Sequence, residues 1–216
     1  MFAMVFRTQW RWTRLTVGGF ALLAFLFPAL AWRLGSGIFQ RGEIAVMEGF
    51  QALGPMLGFL ALFGPFVLAA QPWTIDHETR HVYPLSLPIP WSRWVAMRFA
   101  AGALTLVLPA IALYLGAWLL LANLELPPLL RGYPGAMALR FLFACLIAYG
   151  ATFALQYLAG KRAAAVFLAL LVGVSLTLGS LALLGYPNVA ESVGKFFFEW
   201  PGPLAIFVEP WTLIDV

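Results

Sequence analysis

Residues 99–122 read FAAGALTLVLPAIALYLGAWLLLA and contain no acidic, basic or histidine side chain. A bilayer has a hydrocarbon core about 30 Å thick, which a helix rising 1.5 Å per residue crosses in roughly 20 residues. The stretch is long enough for such a crossing, and leucine and alanine are good helix formers. It predicts a transmembrane α-helix.

Four further stretches share this character, which gives five predicted spans in all: 15–34, 50–71, 99–122, 141–159 and 163–185. The whole chain is 62% hydrophobic and only 10% charged. That composition excludes both a soluble globular domain and a disordered chain. We therefore expect an all-α integral membrane protein forming a single transmembrane domain over 1–216. The lone cysteine, Cys145, excludes an internal disulfide framework.

The basic residues predict the orientation of the spans, because cytoplasmic loops carry more lysine and arginine than outer loops. A cytoplasmic N-terminus places eight basic residues inside, namely Arg7, Arg11, Arg14, Arg80, Arg93, Arg98, Lys161 and Arg162. It leaves five outside, namely Arg33, Arg41, Arg131, Arg140 and Lys195. The excess of positive charge is then explained by the orientation of the spans in the membrane, and it does not indicate a surface that binds nucleic acid.

Residues 1–14 have the pattern of an amphipathic helix at the membrane interface. Phe2, Phe6 and Trp10 recur at intervals of four, while three arginines occupy another face. Such a helix lies in the headgroup plane. The residues assigned to this interface are Arg7, Arg11, Arg14, Trp10 and Trp12. The alternative is a merely basic leading segment.

The C-terminal residues 186–216 are predicted to form an outer-face segment. Its apolar run, 200–208, contains Pro201 and Pro203 and is much shorter than the roughly 20 residues that a span needs. A short re-entrant or interfacial helix fits this length. A sixth span would have to be broken and shielded by protein.

The longest predicted cytoplasmic segment is 72–98. Thr74 is a suitable N-cap for a short helix over 75–83, with Asp76 and Glu78 in its first turn, where the helix dipole favours anions. The later prolines, Pro84 and Pro88 among them, then favour an extended turn.

A literal H-E-x-x-H motif, His77-Glu78-Thr79-Arg80-His81, falls within this segment. On a helix both histidines share one face and are suited to zinc, with the glutamate as general base. A zinc peptidase using His77 and His81 is therefore one alternative. A third ligand is missing, because the chain has only these two histidines and Asp76 projects about 100° away from His77. We favour a polar helix in a contact loop.

Small and rigid residues within the spans indicate how the helices pack. Gly54 and Gly58 form a G-x-x-x-G pattern, which allows close helix packing. Four prolines are expected to kink their spans: Pro28, Pro55, Pro65 and Pro109. The central parts of the spans carry no acid, lysine or histidine, which argues against an ion- or proton-coupled transporter.

The layout of the chain resembles the type-2 export class of ABC transporter permeases. The resemblance rests on Asp76-His77-Glu78-Thr79-Arg80, followed by Leu85-Ser86-Leu87-Pro88-Ile89 and then Arg93. In that family the acidic start of the loop forms a coupling helix that docks on a separate ATPase subunit. The family also has six spans, one more than the five predicted here.

The resemblance implies a permease subunit that exports an unidentified substrate. The residues that would couple to the partner ATPase are Asp76, Glu78, Thr79, Arg80 and Arg93. No G-x-x-x-x-G-K-[ST] phosphate loop occurs in the chain, so ATP hydrolysis is expected in another chain and no cofactor in this one.

Several partners and a location follow from the same resemblance. They are an ABC ATPase subunit, a second permease copy or paralogue and the lipid bilayer, with no nucleic acid, in a bacterial or archaeal cytoplasmic membrane. A non-catalytic membrane subunit that anchors or assembles a larger complex is the other alternative, since the chain shows no catalytic constellation.

Overall fold

A computed structural model of the chain is helical over most of its length and describes residues 1–38, 43–78, 89–123, 131–183, 187–199, 201–202, 204–208, 211 and 213–215. The helices are α1 (Phe2–Ile38), α2 (Glu43–Glu78), α3 (Trp91–Thr105), α4 (Val107–Ala122), α5 (Pro134–Ala159), α6 (Ala163–Leu183), α7 (Pro187–Phe198) and α8 (Ala205–Val208). A 3-10 turn, Gly160–Arg162, joins α5 to α6. Two short strands, β1 (Arg131–Gly132) and β2 (Ile214–Asp215), pair antiparallel.

Within the part of the chain that the structure describes, four helical stretches are long and apolar enough to cross a membrane: Phe2–Ala31, Gly54–Asp76, Trp91–Ala122 and Pro134–Ala159. Many of their large apolar side chains are exposed on the outside of the bundle, as lipid-facing residues are. The predicted helical architecture with long apolar helices is confirmed. The fifth predicted stretch is also helical, as α6, and its crossing of the membrane remains a prediction.

The four long helical stretches form a ring in which α1 packs on α2, α2 on α5, α5 on α4, and α4 on α1. Successive stretches run in opposite directions, so α2 ends and α3 begins at the same end of the bundle. We call this the loop end, because the connection 79–90 leaves and returns there. The opposite end, where β1 and β2 pair, is called the far end.

Helix α1 continues without interruption through the predicted junction between an interfacial helix 1–14 and a span 15–34. Its buried residues Val5, Gln9, Thr13 and Val17 follow at intervals of four, so one face packs into the bundle from the first turn onward. Thirty-seven residues extend about 55 Å, well beyond a hydrocarbon core of about 30 Å. The membrane depth of its first turns remains a prediction.

Helix α2 corrects the prediction of a separate helix over 75–83. It runs through Pro72 to Glu78, and Thr74 lies inside it. The Thr74 hydroxyl donates to the Ala70 carbonyl, 3.1 Å away and one turn earlier, instead of capping a new helix. The segment predicted as a loop over 72–98 is therefore helical at both ends, over 72–78 and from Trp91 onward.

The third predicted span begins earlier than expected, at Trp91 rather than residue 99, which places Arg98 inside a helix. Pro109 interrupts this stretch, as predicted, since it has no N–H for the carbonyl of Thr105. The helix breaks at Leu106, whose N–H donates to the Ala103 carbonyl at 3.2 Å. Pro28, Pro55 and Pro65 lie inside uninterrupted helices.

The C-terminal segment folds back against the far end of the bundle. α8 packs on α2 and α5, and β2 pairs with β1 through Arg131↔Asp215. Ala205, Trp211 and Leu213 are buried there. Among the residues described after 186, the longest helix is the twelve-residue α7. The helices described in that part of the chain are too short to cross a membrane.

Helix α7 is amphipathic, and an exposed ion pair lies on it. Lys195 Nζ lies 2.7 Å from Glu191 Oε1, one turn earlier. Their hydrogen bond lowers the pKa of the Glu191 carboxyl and raises that of the Lys195 ammonium. Because both groups are open to solvent, this pair contributes little to stability.

The G-x-x-x-G pair receives the C-terminal segment. A side chain at Gly54 would touch Trp211 at ordinary contact distances of 3.4–3.5 Å, whereas one at Gly58 would run into the Phe207 carbonyl oxygen. That oxygen also accepts a hydrogen bond from the Trp211 indole at 3.4 Å. Glycine at 58 is therefore required by this close approach.

We expect Gly58→Ala to destabilise the protein by about 1–2 kcal/mol, because backbone must move to admit a methyl group. Gly54→Ala is the matched control and should be neutral or slightly stabilising, since alanine favours helix. Unfolding in detergent, followed by tryptophan fluorescence, measures both. Equal stability of the two variants would contradict this packing.

Candidate functional site

The described buried polar side chains are concentrated in the loop-end half of the four long helical stretches. They are Gln9, Thr13, Asp76, Arg98, Thr105, Thr152 and Gln156. The core of the other half is apolar, with residues such as Val17, Leu57, Leu113 and Phe141. Polar groups are costly inside a membrane protein and mark functional positions more often than apolar ones do.

An ion pair between Asp76 of α2 and Arg98 of α3 lies at the centre of this polar half. Arg98 Nη1 contacts Asp76 Oδ2. The Asp76 side chain is only 1% exposed and the Arg98 side chain only 4%. Since isolated buried charges are strongly unfavourable, each of these residues requires the other.

Two tryptophans enclose the guanidinium of Arg98. Its central carbon lies 5.0 Å from the ring centre of Trp73 and 4.8 Å from that of Trp94. The two indoles meet edge to face at 6.1 Å. Cation–π attraction is strongest when water is excluded, as it is here. One tryptophan comes from each of the helices that flank the loop.

The aromatic shell continues onto α5. Phe153 and Tyr157 pack against Trp73, with ring centres 5.4 Å and 6.3 Å away. Phe99 of α3 contacts Phe153 at 5.3 Å. We refer to Trp73, Asp76, Trp94, Arg98 and Phe153 as the Arg98 cluster. It joins α2, α3 and α5.

Gln9 connects α1 to the same cluster. With its amide assigned to satisfy both ends, its nitrogen donates to the Arg98 carbonyl and its oxygen accepts from the Gly102 N–H, each at 3.2 Å. A side chain at position 102 would collide with the hydroxyl of Tyr149 and with Gln9. Glycine there lets α1 and α5 approach the backbone of α3.

A second polar connection ties α1 to α2 close to Trp73. Gln71 accepts a hydrogen bond from the Thr16 hydroxyl at 2.8 Å and donates to the Trp12 carbonyl at 2.9 Å. Side-chain hydrogen bonds of this kind hold helices together where the surroundings are apolar. Helices α1, α2, α3 and α5 are thus fastened to one another at the loop end.

The residues predicted to contact an ATPase are divided by the structure. Asp76 is buried in the Arg98 cluster, whereas Arg93 is exposed in the first turn of α3, and the contact of either residue with an ATPase remains a prediction. Glu78 is the last residue of α2. Thr79 and Arg80 lie outside the described residues.

The residues predicted at the membrane interface lie on the first turns of α1. Arg7, Arg11, Arg14 and Trp10 are exposed, and Trp12 is partly buried beside α3. This arrangement leaves the three arginines on the face opposite the one that packs into the bundle.

The zinc hypothesis gains no support from the described residues. His77 belongs to the last turn of α2, and His81 lies outside the described residues. Within the described part of the chain, no three His, Cys, Asp or Glu side chains converge into a metal-binding group. The carboxylate of Asp76, the acid next to His77, is engaged by Arg98.

Sequence reasoning missed the partners of Asp76. Arg98 was counted only among the basic residues that predict the orientation, yet both Trp94 and Arg98 are buried on one face of α3. Their i, i+4 spacing, continued by Gly102 and Thr105, indicates one helix face. The same holds for Trp73 and Asp76, at i and i+3. These spacings indicate a shared helix face only if α2 extends to residue 78 and α3 begins at residue 91.

Comparison with protein families, with curated proteins and with solved structures finds no match. The class of protein therefore rests on the fold itself, which is that of a helical protein with four stretches long and apolar enough to span a membrane.

Proposed function

We propose that the chain is the permease subunit of an ATP-driven exporter and that a separate ATPase acts on it through the segment between α2 and α3. The observation that supports this most is the ion pair between Asp76 and Arg98, which fastens the two helices entering and leaving that segment. A force on the segment then moves both helices together. A flexible attachment would absorb the same force.

The arrangement of charges agrees with such a role. Arg93 is exposed immediately before Trp94, and Glu78 ends α2, so opposite charges border the connection. Charges at a protein interface select the partner and its register. In this proposal the packed interior of the bundle transmits the movement, and the connection between α2 and α3 contacts the ATPase. Substrate would move between permease subunits, the second being another copy or a paralogue.

Purification from the native host in mild detergent, followed by mass spectrometry of the associated chains, tests the proposal directly. We expect an ATPase carrying a phosphate loop, in about equal stoichiometry. Its absence, together with other membrane subunits, would contradict the permease proposal and favour the anchoring alternative.

Charge reversal at the connection is expected to weaken the association. Glu78→Lys and Arg93→Glu should each lower the ATPase recovered with the chain several-fold, because like charges replace matched ones. Arg162→Glu is the control, since Arg162 is exposed at the loop end but belongs to the connection between α5 and α6. Unchanged recovery for both test variants would refute these contacts.

A further inference from the structure

A narrow groove separates the first turns of α1 from the first turns of α3. It is lined by Val5, Thr8, Gln9, Trp12, Trp94 and Arg98. Its interior volume of about 10 Å³ holds roughly one oxygen-sized group. The groove can therefore receive a single oxygen of a larger molecule that remains outside.

Two of the residues that line this groove carry a buried donor. Among the described residues, Arg98 Nη2 and Trp94 Nε1 are buried and have no hydrogen-bond acceptor. The other terminal nitrogen of Arg98 is engaged by Asp76. Buried donors in proteins are nearly always hydrogen-bonded. A guanidinium and an indole N–H together recognise an oxygen acceptor, and the guanidinium favours an anionic one.

The surroundings identify the source of that oxygen. The groove lies at the first turns of two candidate spans, Phe2–Ala31 and Trp91–Ala122. The aromatic side chains Trp10 and Trp91 are exposed at the same level, as in the belts that mark headgroup depth. Exposed arginines on both helices, including Arg11 and Arg93, make the region positive. Such regions attract anionic lipids.

We propose that this groove binds one phosphate oxygen of an anionic phospholipid, through Arg98 Nη2 and Trp94 Nε1. The lipid would hold α1 against α3 beside the Arg98 cluster. The proposal is independent of the transport function.

Trp94→Phe tests the site with little other change, because it keeps an aromatic ring beside Arg98 and removes the N–H donor. The delipidated protein is titrated with phosphatidylglycerol in neutral detergent, and bound lipid is counted by native mass spectrometry. One lipid should bind saturably, and Trp94→Phe should raise its Kd roughly tenfold, as for loss of a hydrogen bond to a charged group. Trp91→Phe is the control, because Trp91 is exposed and stacks on Trp94 at 4.9 Å.

A second variant and two further ligands complete the test. Thr8→Leu should also weaken binding by filling the groove, since the Thr8 hydroxyl donates only to the Met4 carbonyl of its own helix among the described contacts. Unchanged Kd values in both variants would overturn the proposal. Equal binding of diacylglycerol, which lacks phosphate, would overturn it as well. Displacement of the lipid by millimolar inorganic phosphate would assign the groove to a free anion instead.

Discussion

Replacement of Arg98 by leucine is expected to cost about 3–5 kcal/mol of folding free energy. The variant leaves the Asp76 carboxylate buried without its counter-ion, and removal of one partner of a buried pair is strongly destabilising. It also removes the cation that lies between Trp73 and Trp94. Equilibrium unfolding in mixed micelles, followed by circular dichroism, measures the loss.

The double variant Asp76→Asn/Arg98→Met is the control that separates charge from packing. It removes both charges and keeps most of the volume, so it should regain most of the lost stability. Arg98→Lys should lie between wild type and Arg98→Leu, because it keeps the charge without the planar fork. If the double variant were as unstable as Arg98→Leu, the unpaired charge of Asp76 would not be the cause of the lost stability.

The helical membrane class was predictable because it depends on composition and on long apolar runs. The stretch 99–122 needs no tertiary information to be recognised as a span. Helix ends were less predictable. The second predicted span ends at residue 71, yet helix α2 continues past Pro72 to Glu78. A proline removes one hydrogen bond, and packing of Trp73 and Asp76 against α3 and α5 outweighs that loss in the structure.

The site was predictable only in part, since its charged residues had to be paired across helices. Asp76 was identified from the loop motif, but Arg98 was treated as a signal of topology. Asp76 and Arg98 lie on different helices, and nothing in the sequence between them indicates that their side chains are in contact. The same limit applies to Gly54 and Gly58. The predicted close packing applies to Gly58, whereas Gly54 meets Trp211 at ordinary distances, and the C-terminal segment that both contact has no sequence signal that links it to α2.

Polar and aromatic contacts thus occupy both ends of the bundle, with different consequences. At the loop end the Arg98 cluster ties together helices that also flank an exposed connection. At the far end Arg140 of α5 holds a segment that follows all the long helices in sequence. A disturbance at the far end should therefore release the C-terminal segment without separating α2 from α3.

Arg140→Leu is expected to cost about 2–3 kcal/mol and to expose the C-terminal segment. Arg140 donates to the Ile206 carbonyl at 3.1–3.2 Å and to the Ala205 carbonyl at 3.3 Å. Its guanidinium also lies 4.5 Å from the ring centre of Trp211. Hydrogen bonds from a charged donor and a partly desolvated cation–π contact together account for an effect of this size. Limited proteolysis in detergent should cleave the variant faster after residue 199 than the wild type.

Arg131→Gln provides the control for Arg140, because Arg131 is an exposed arginine at the same end and pairs with Asp215 through the backbone. It should leave both stability and cleavage close to wild type. Arg140→Lys should be intermediate, since an ammonium retains the charge but not the several donors of the guanidinium. If Arg140→Leu were cleaved no faster than Arg131→Gln, the C-terminal segment would have to be held by the packing of Gly58 and Trp211 and by the pairing of β1 with β2. In that case Gly58→Ala, which displaces the Phe207 backbone, would be the variant that releases it.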